Sequence, residues 1–373
     1  MNESKTALIL GGGGARAAYQ VGVLKAIAEF VPQGSKNPFP IVCGTSAGSI
    51  NTVALASNAS NFHEGVQKIN HVWSNFELKQ VFYVDAKNLF KRIFKWLWHS
   101  LGLGKSENGP SSLLDNQPLR ELLNDYISFE KIDASIKNGD LHGYCLTACS
   151  YSSGESTTFF DGDANIEEWI RTHREGTRTK MSIDHLMASS AIPVIFPSVK
   201  LNDEYFGDGS MRQLSPVSPA LHLGAQKILI IGLRLKDNKV GEKSAIKRPS
   251  LGEISGYVLD TLFLNSLQSD VERMERVNKL IAQKNNQDLN LIVIEHKIIY
   301  PSKDISDIAL KHYKCLPRSF RIALKLLGLA KGNSRRFISY LMFSKTFCQE
   351  VIELGYQDAL SQKAELVSFL AND

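Results

Sequence analysis

The first fifty or so residues carry one unit twice: a short apolar run, a turn of very small residues, then a helical stripe. Residues 6–10, TALIL, pass straight into four glycines, and from Ala15 to about Phe30 the residues Ala17, Val21, Leu24 and Ala28 recur on one helical face. Residues 40–43, ending at Cys43, form a second apolar run that enters Gly44-Thr45-Ser46-Ala47-Gly48 and then a helix of small residues. Short apolar runs bounded by glycine read as buried strands. Strand–turn–helix repeated in succession predicts an α/β chain with a mostly parallel central sheet and helices on both faces.

The rest of the chain fits that class. A helix is expected over 117–132, strands near 142–149 and 156–160, and a helix near 182–190. Further on come a buried strand at 228–235, a long helix at about 252–284, a strand at 289–296 and a mostly helical, basic remainder, with no internal repeat. At 373 residues the chain can bury a large core without a disulfide or metal staple. With 43% hydrophobic and 22% charged residues, 27 Gly and 12 Pro, it is neither collagen-like nor disordered throughout. Five cysteines without metal-ligand spacing are expected as small core residues of a reducing compartment. The opening MNESKTALIL is too short an apolar stretch for a signal peptide, and no run of about 18 apolar residues could span a membrane. A cytoplasmic protein, free or peripheral to a membrane, is expected, with export by a dedicated secretion machine left open.

Charge is unevenly placed. Residues 297–346 hold eleven Lys and Arg against Asp304 and Asp307, on a chain whose net charge is only +5, so the remainder is net negative. Such asymmetry speaks of partners rather than fold. Nucleic acid would want aromatic platforms or a binding motif, and neither is present. The segment instead alternates basic and apolar residues, as in RIALKLLGLA, which suits an anionic membrane surface or an ordinary solvated helix. A second patch, Phe90–Leu101 (FKRIFKWLWHSL), sets tryptophans beside Lys and Arg in the manner of an interfacial anchor or of a helix burying its aromatics. Peripheral contact with an anionic membrane is therefore expected through 90–101 and 311–336, and about 83–112 reads as a lid or membrane-facing insertion.

Gly44-Thr45-Ser46-Ala47-Gly48 fits G-x-S-x-G between a strand and a helix, the context of a nucleophile elbow. The turn is strained, so its flanks must be small, and Ser46 at a helix N-terminus sits where developing negative charge is favoured. Gly11-Gly12-Gly13-Gly14-Ala15-Arg16-Ala17 forms the other strand–helix turn. A dinucleotide site there would need an acid closing the second strand, and a phosphate loop would need Gly-Lys-Ser/Thr; both are missing. An oxyanion hole remains, since neighbouring parallel strands place this loop beside Ser46. A base for Ser46 is less legible. His222, His296 and His312 follow Asp208, so one of them could complete a triad, while His185 reads as a packing residue.

With these residues in place the chain resembles the patatin-like phospholipases. That family joins a G-G-G-x-R/K-G loop, a G-x-S-x-G serine and a later D-G-G or D-G-A aspartate. Here these read Gly12-Gly13-Gly14-Ala15-Arg16-Ala17, Gly44 to Gly48, and Asp208-Gly209-Ser210, with ASSAIPVIFPSV at 188–199 matching a further block. The resemblance runs over roughly residues 5–235. It implies a three-layer patatin-like sandwich and a Ser–Asp dyad without histidine: Ser46 as nucleophile, Asp208 as base, and the amides of Gly12, Gly13 and Gly14 as oxyanion hole. It implies no metal and no cofactor. A free aspartate, with a pKa of about 4, is a weak base for a serine hydroxyl, so burial must raise it. Two departures stand out. Ala17 replaces the last glycine of the loop motif, which matters if that position needs a positive φ, and Ser210 replaces Gly or Ala. Arg16 is a candidate contact for a lipid phosphate, or a structural ion pair.

Calcium fits poorly. Asp161-x-Asp163-x-Asn165 starts like an EF-hand loop, but Ile166 and Thr172 occupy the Gly and Glu positions. The reading is a lipid acyl hydrolase of phospholipids or lysophospholipids, with a catalytic domain at 1–300 and a basic helical extension at 301–373. The alternatives are a transacylase using the same acyl-enzyme, and a membrane-associated scaffold with a decayed site.

Overall fold

A computed structural model describes residues 5–101, 112–236, 248–283, 292–330 and 334–371. Its strands are β1 (Thr6–Leu10), β2 (Ile41–Thr45), β3 (Gly143–Ser150), β4 (Ser156–Gly162), β5 (Trp169–Arg171), β6 (Arg174–Arg178), β7 (Val199–Leu201), β8 (Glu204–Asp208), β9 (Lys227–Ile231) and β10 (Glu295–Ile299). Its helices are α1 (Ala18–Phe30), α2 (Ala47–Ala56), α3 (Phe62–Ser74), α4 (Ala86–Ser100), α5 (Gln117–Tyr126), α6 (Phe129–Lys137), α7 (Ile183–Ser189), α8 (Ser218–His222), α9 (Leu251–Gln283), α10 (Ile305–His312), α11 (Arg318–Leu326), α12 (Arg335–Tyr340), α13 (Lys345–Leu360) and α14 (Lys363–Leu370).

The strands form one sheet in the order β10-β9-β1-β2-β3-β4-β6-β5, with β8 pairing β3 and β7 off that path. The five strands from β10 to β3 run parallel, and antiparallel pairing begins where β4 and β8 both meet β3. The parallel strands TALIL, IVCGT and KILII are fully buried, as continuous apolar runs require when both faces are covered. Leu8, Leu10 and Val42 face a core shared with α1, α2, α3 and α13; Ala7, Ile9, Ile41 and Cys43 face a second core with α8 and the Val271–Met274 part of α9. The result is the mixed α/β, three-layer architecture that the repeated unit implies.

Several expected elements differ in detail. The helix read over 117–132 is two helices: Ile127 is extended, and Ser128 caps α6 by accepting the Lys131 amide at 3.4 Å. The strand expected over 228–235 ends at Ile231, and the one expected at 289–296 starts at Glu295, where its register against Lys227 begins. Part of that second span, and residues 102–111 of the expected lid or insertion, lie outside the described residues. The segment read as a C-terminal extension contributes Ile305, Phe320, Tyr340, Phe347 and Val351 to the same core as Leu8 and Leu10. There α13 lies along α1, and Tyr19 donates to Asp358 Oδ2 at 2.9 Å.

Candidate active site

Parallel pairing sets Leu10 opposite Gly44, so the glycine turn after β1 and the serine turn after β2 leave the sheet side by side. Ser46 has φ 56° and ψ −129°, a conformation costly for any residue with a β-carbon and characteristic of functional turns. Gly48 is what lets this elbow close: a β-carbon there would collide with the carbonyl oxygens of Leu10 and Gly11. The hydroxyl of Ser49 holds the Ser46 carbonyl at 2.5 Å, and the Ser46 amide donates to Ser189 Oγ at 3.0 Å. Ser189 in turn donates to the Thr147 carbonyl at 2.7 Å, which fixes its hydrogen away from Ser46.

Asp208 ends β8, antiparallel to β3 with Ala148 as its partner. Its amide donates to the Ala191 carbonyl at 2.9 Å, and its Oδ1 accepts the Ser210 amide at 2.9 Å. Ser46 Oγ donates to the remaining oxygen, Oδ2, at 2.5 Å. Serine and aspartate, 162 positions apart in sequence, thus meet as a buried pair. Burial raises the Asp208 pKa to about 6, against hydrogen bonds from Ser46 and Ser210 that pull it down. The substitution of Ser210 therefore leaves the amide that holds Asp208 in place.

The three glycines of the loop are not equivalent. Gly14, with φ 54°, borders the cleft together with Ser46 and Ala47, and a β-carbon on it would strike the Tyr340 carbonyl. Gly12 packs instead against the Phe263 ring and Ser210, and Gly13 lies against Leu233. Ala17 has φ −63°, so the position that departs from the motif is ordinary helical backbone.

The headgroup contact expected of Arg16 is corrected. Its side chain is 3% exposed and points away from solvent. It donates from Nε to Ser339 Oγ at 2.7 Å and from Nη2 to Ser306 Oγ and the Arg336 carbonyl, each at 3.2 Å. Nη1 pairs with Asp260 at 3.2 Å, and the guanidinium lies 4.0 Å from the Tyr340 ring centroid. The alternative of a structural ion pair is the one realised.

Among the described residues no histidine is bonded to Ser46. His222 stacks on Trp169 with centroids 4.4 Å apart, His296 meets Glu275 at 3.1 Å, and His312 meets Glu350 at 2.6 Å. His185 caps its own helix through Ser182 and lies edge-on to Phe159. Asp163 Oδ1 accepts the amide of Asn165 at 2.9 Å in a closed Asx turn.

From Ser46 an open cleft runs between α2, α3 and α5, walled by Ile50, Ala54, Ile69, Val72, Trp73 and Leu123, with Ile192 and Phe196 also lining it. Its lining is overwhelmingly apolar, and it suits a hydrocarbon chain ending at the serine. Lys68 stands among the lining residues, paired with Glu64 at 2.5 Å. Ser189, which receives the Ser46 amide, was not singled out in the sequence, although it lies inside the 188–199 block.

The profile of the patatin-like phospholipase family matches residues 8–221. No protein of curated function matches the sequence. Among solved structures the chain is similar to VipD from Legionella pneumophila, at 12% identity over 97% of this chain and 67% of that one, with a TM-score of 0.37. It is also similar to human GIVD cytosolic phospholipase A2, at 12% identity over 98% of this chain and 59% of that one, with a TM-score of 0.45. It thus corresponds to about three fifths of the human chain. The glycine turn, the serine elbow and the aspartate at the end of β8 all lie within the matched residues, and the chain belongs to the patatin-like phospholipase family.

Proposed function

We propose that this chain hydrolyses carboxylic esters of phospholipids or lysophospholipids through an acyl-enzyme on Ser46, with Asp208 as the base. The observation that carries the reading is the 2.5 Å hydrogen bond from Ser46 Oγ to Asp208 Oδ2 at the head of an apolar cleft. Ser46 Oγ attacks the ester carbonyl as its proton passes to Oδ2. Negative charge gathers on the former carbonyl oxygen, and the glycine-loop amides, with Gly14 nearest the cleft, together with the N-terminus of α2, stabilise it. The intermediate collapses, and Asp208 returns the proton to the departing alkoxide. Water then attacks the acyl-Ser46 carbonyl as Asp208 takes its proton; the second intermediate collapses, Asp208 returns that proton to the departing Ser46 Oγ, and the fatty acid leaves. A carboxyl with a pKa of about 6 is ionised at neutral pH yet a better base than an ordinary aspartate.

The lipid-surface reading rests on α4 and α11, which pack together. The exposed face of α4 carries Lys87, Lys91, Phe94, Lys95 and Trp98, with Leu101 exposed just past its end, while Leu89 and Ile93 face inward. Basic residues beside exposed aromatics form a peripheral docking face for an anionic bilayer. Among the described residues no helix is long and apolar enough to cross a membrane.

Labelling with a fluorophosphonate tests the chemistry. Wild type is expected to label, and Ser46→Ala and Asp208→Asn, both folded, to stay unlabelled. Labelling of Ser46→Ala would move the nucleophile elsewhere.

A further inference from the structure

A chain of buried hydrogen bonds joins the wall of the cleft to the glycine loop. The Trp73 indole N–H donates to Asn51 Oδ1 at 2.8 Å, Asn51 Nδ2 donates to Gln20 Oε1 at 2.9 Å, and Gln20 Nε2 donates to the Gly11 carbonyl at 2.9 Å. Asn51 and Gln20 are fully buried and Trp73 nearly so. An indole nitrogen can only donate, so the direction of every link is fixed and neither amide can flip without losing two bonds. Two buried side-chain amides in a small-residue helix crossing are costly unless each polar atom is served. Their backbone targets are the Gly11 carbonyl at the head of the glycine loop, 2.9 Å from Gln20 Nε2, and the Ala17 carbonyl, 3.5 Å from Asn51 Nδ2. Trp73 and Asn51 also line the cleft beside Ser46.

We propose that Trp73, Asn51 and Gln20 are a positioning relay that ties occupancy of the acyl cleft to the geometry of the oxyanion loop. The inference rests on the hydrolase reading above. An acyl chain long enough to pack on the Trp73 ring holds the indole, the indole holds Asn51, and Gln20 holds the Gly11–Gly12 peptide. A held Gly11 carbonyl fixes the plane of the peptide that begins the loop, and small displacements of oxyanion donors cost large factors in rate. The relay therefore acts on turnover, not on affinity, and it makes turnover depend on chain length.

The test measures kcat and KM for p-nitrophenyl esters from acetate, too short to reach Trp73, to decanoate, in wild type, Gln20→Met, Asn51→Leu and Trp73→Phe. Wild-type kcat should rise with chain length. Gln20→Met and Asn51→Leu should lose about tenfold in kcat on decanoate with KM little changed, and should flatten the rise. Trp73→Phe, which keeps a ring but not the N–H, should lower kcat for decanoate by a larger factor than kcat for acetate. The midpoint of the pH–rate profile should not move, since none of the three touches Asp208. If Gln20→Met and Asn51→Leu fail to fold, Trp73→Phe decides alone. A wild-type kcat independent of chain length, or relay variants that retain the wild-type dependence, overturns the relay and leaves the hydrolase standing. A wild type that neither hydrolyses any ester nor labels at Ser46 overturns both.

Discussion

Asp208 reaches Ser46 from a strand that runs against its neighbour: β8 is antiparallel to β3, while β2, which delivers Ser46, is parallel to β3. Strand β4 fills one edge of β3; β2 pairs with the other edge up to Thr147 and β8 takes it over from Ala148, so Ser46 and Asp208 meet where the two strands abut. Its Thr147 carbonyl accepts Ser189, which receives the Ser46 amide, and Ala148 is the register partner of Asp208. Both members of the pair are located by one buried strand.

This placement makes activity depend on pH in a definite sense. A base must be ionised, so kcat/KM should rise with pH, with a midpoint near 6, and then level off. An activity plateau extending below pH 5 would show that some other group takes the proton.

The same carboxylate should weaken the fold. Its pKa is about 6 in the native state against an ordinary 3.8, so the folded protein binds more protons between those values and stability falls as pH rises through them. Above that window the ionised group costs about 3 kcal/mol. Asp208→Asn is therefore expected to be inactive and to melt higher than wild type at pH 8, with the gap shrinking toward pH 5. A lower Tm for the variant at pH 8 would contradict a destabilising charge.

Backbone strain at the elbow makes a parallel prediction. Glycine adopts φ 56°, ψ −129° without a β-carbon to crowd, so Ser46→Gly should be inactive and more stable by about 1–2 kcal/mol in denaturant unfolding. Ser46→Ala keeps the β-carbon and should gain little.

Local signals explain why some of this was legible in the sequence and some was not. The two strand–turn–helix units show in a few consecutive residues each, because a strand buried on both faces is apolar throughout and an elbow tolerates only small neighbours. Asp208 was legible through Asp-Gly-Ser and family resemblance, not through any spacing to Ser46. Strands β5 and β7 are three residues long with polar members, below what alternation can reveal. The choice between the two readings of Arg16 was not legible for a different reason. Its hydroxyl partner Ser339 lies 323 positions away, and no local pattern announces that α12 folds back over the glycine loop.

Cleft dimensions should set chain-length preference. Ala54 lines the cleft two helical turns beyond Ser46. Ala54→Phe would fill that depth and shorten the hydrocarbon the cleft accepts. The ratio of kcat/KM for octanoyl over butyryl esters should fall by about tenfold, with butyryl turnover largely kept. An unchanged ratio would place the acyl chain elsewhere.

Docking can be separated from chemistry by the choice of substrate. On α4 Phe94 is 66% exposed and Leu101, just past its end, 71%; on α11 Leu326 is 74% exposed, flanked by the exposed Arg318, Ile322 and Lys325. Single exposed apolar side chains are unremarkable, but here they share their faces with lysine and arginine and lie on two helices that touch. Each basic residue near an anionic surface contributes about 1 kcal/mol, so the double reversal Lys91→Glu/Lys95→Glu should weaken binding to phosphatidylserine vesicles by well over tenfold. Added salt should weaken wild-type binding in the same direction. Trp98→Ala should weaken binding to anionic vesicles with less dependence on salt, because it removes insertion and not attraction. All these variants should hydrolyse a soluble butyryl ester at the wild-type rate, since neither helix lines the cleft. Vesicle binding that survives the double reversal, with folding intact, would mean that the membrane meets a different face.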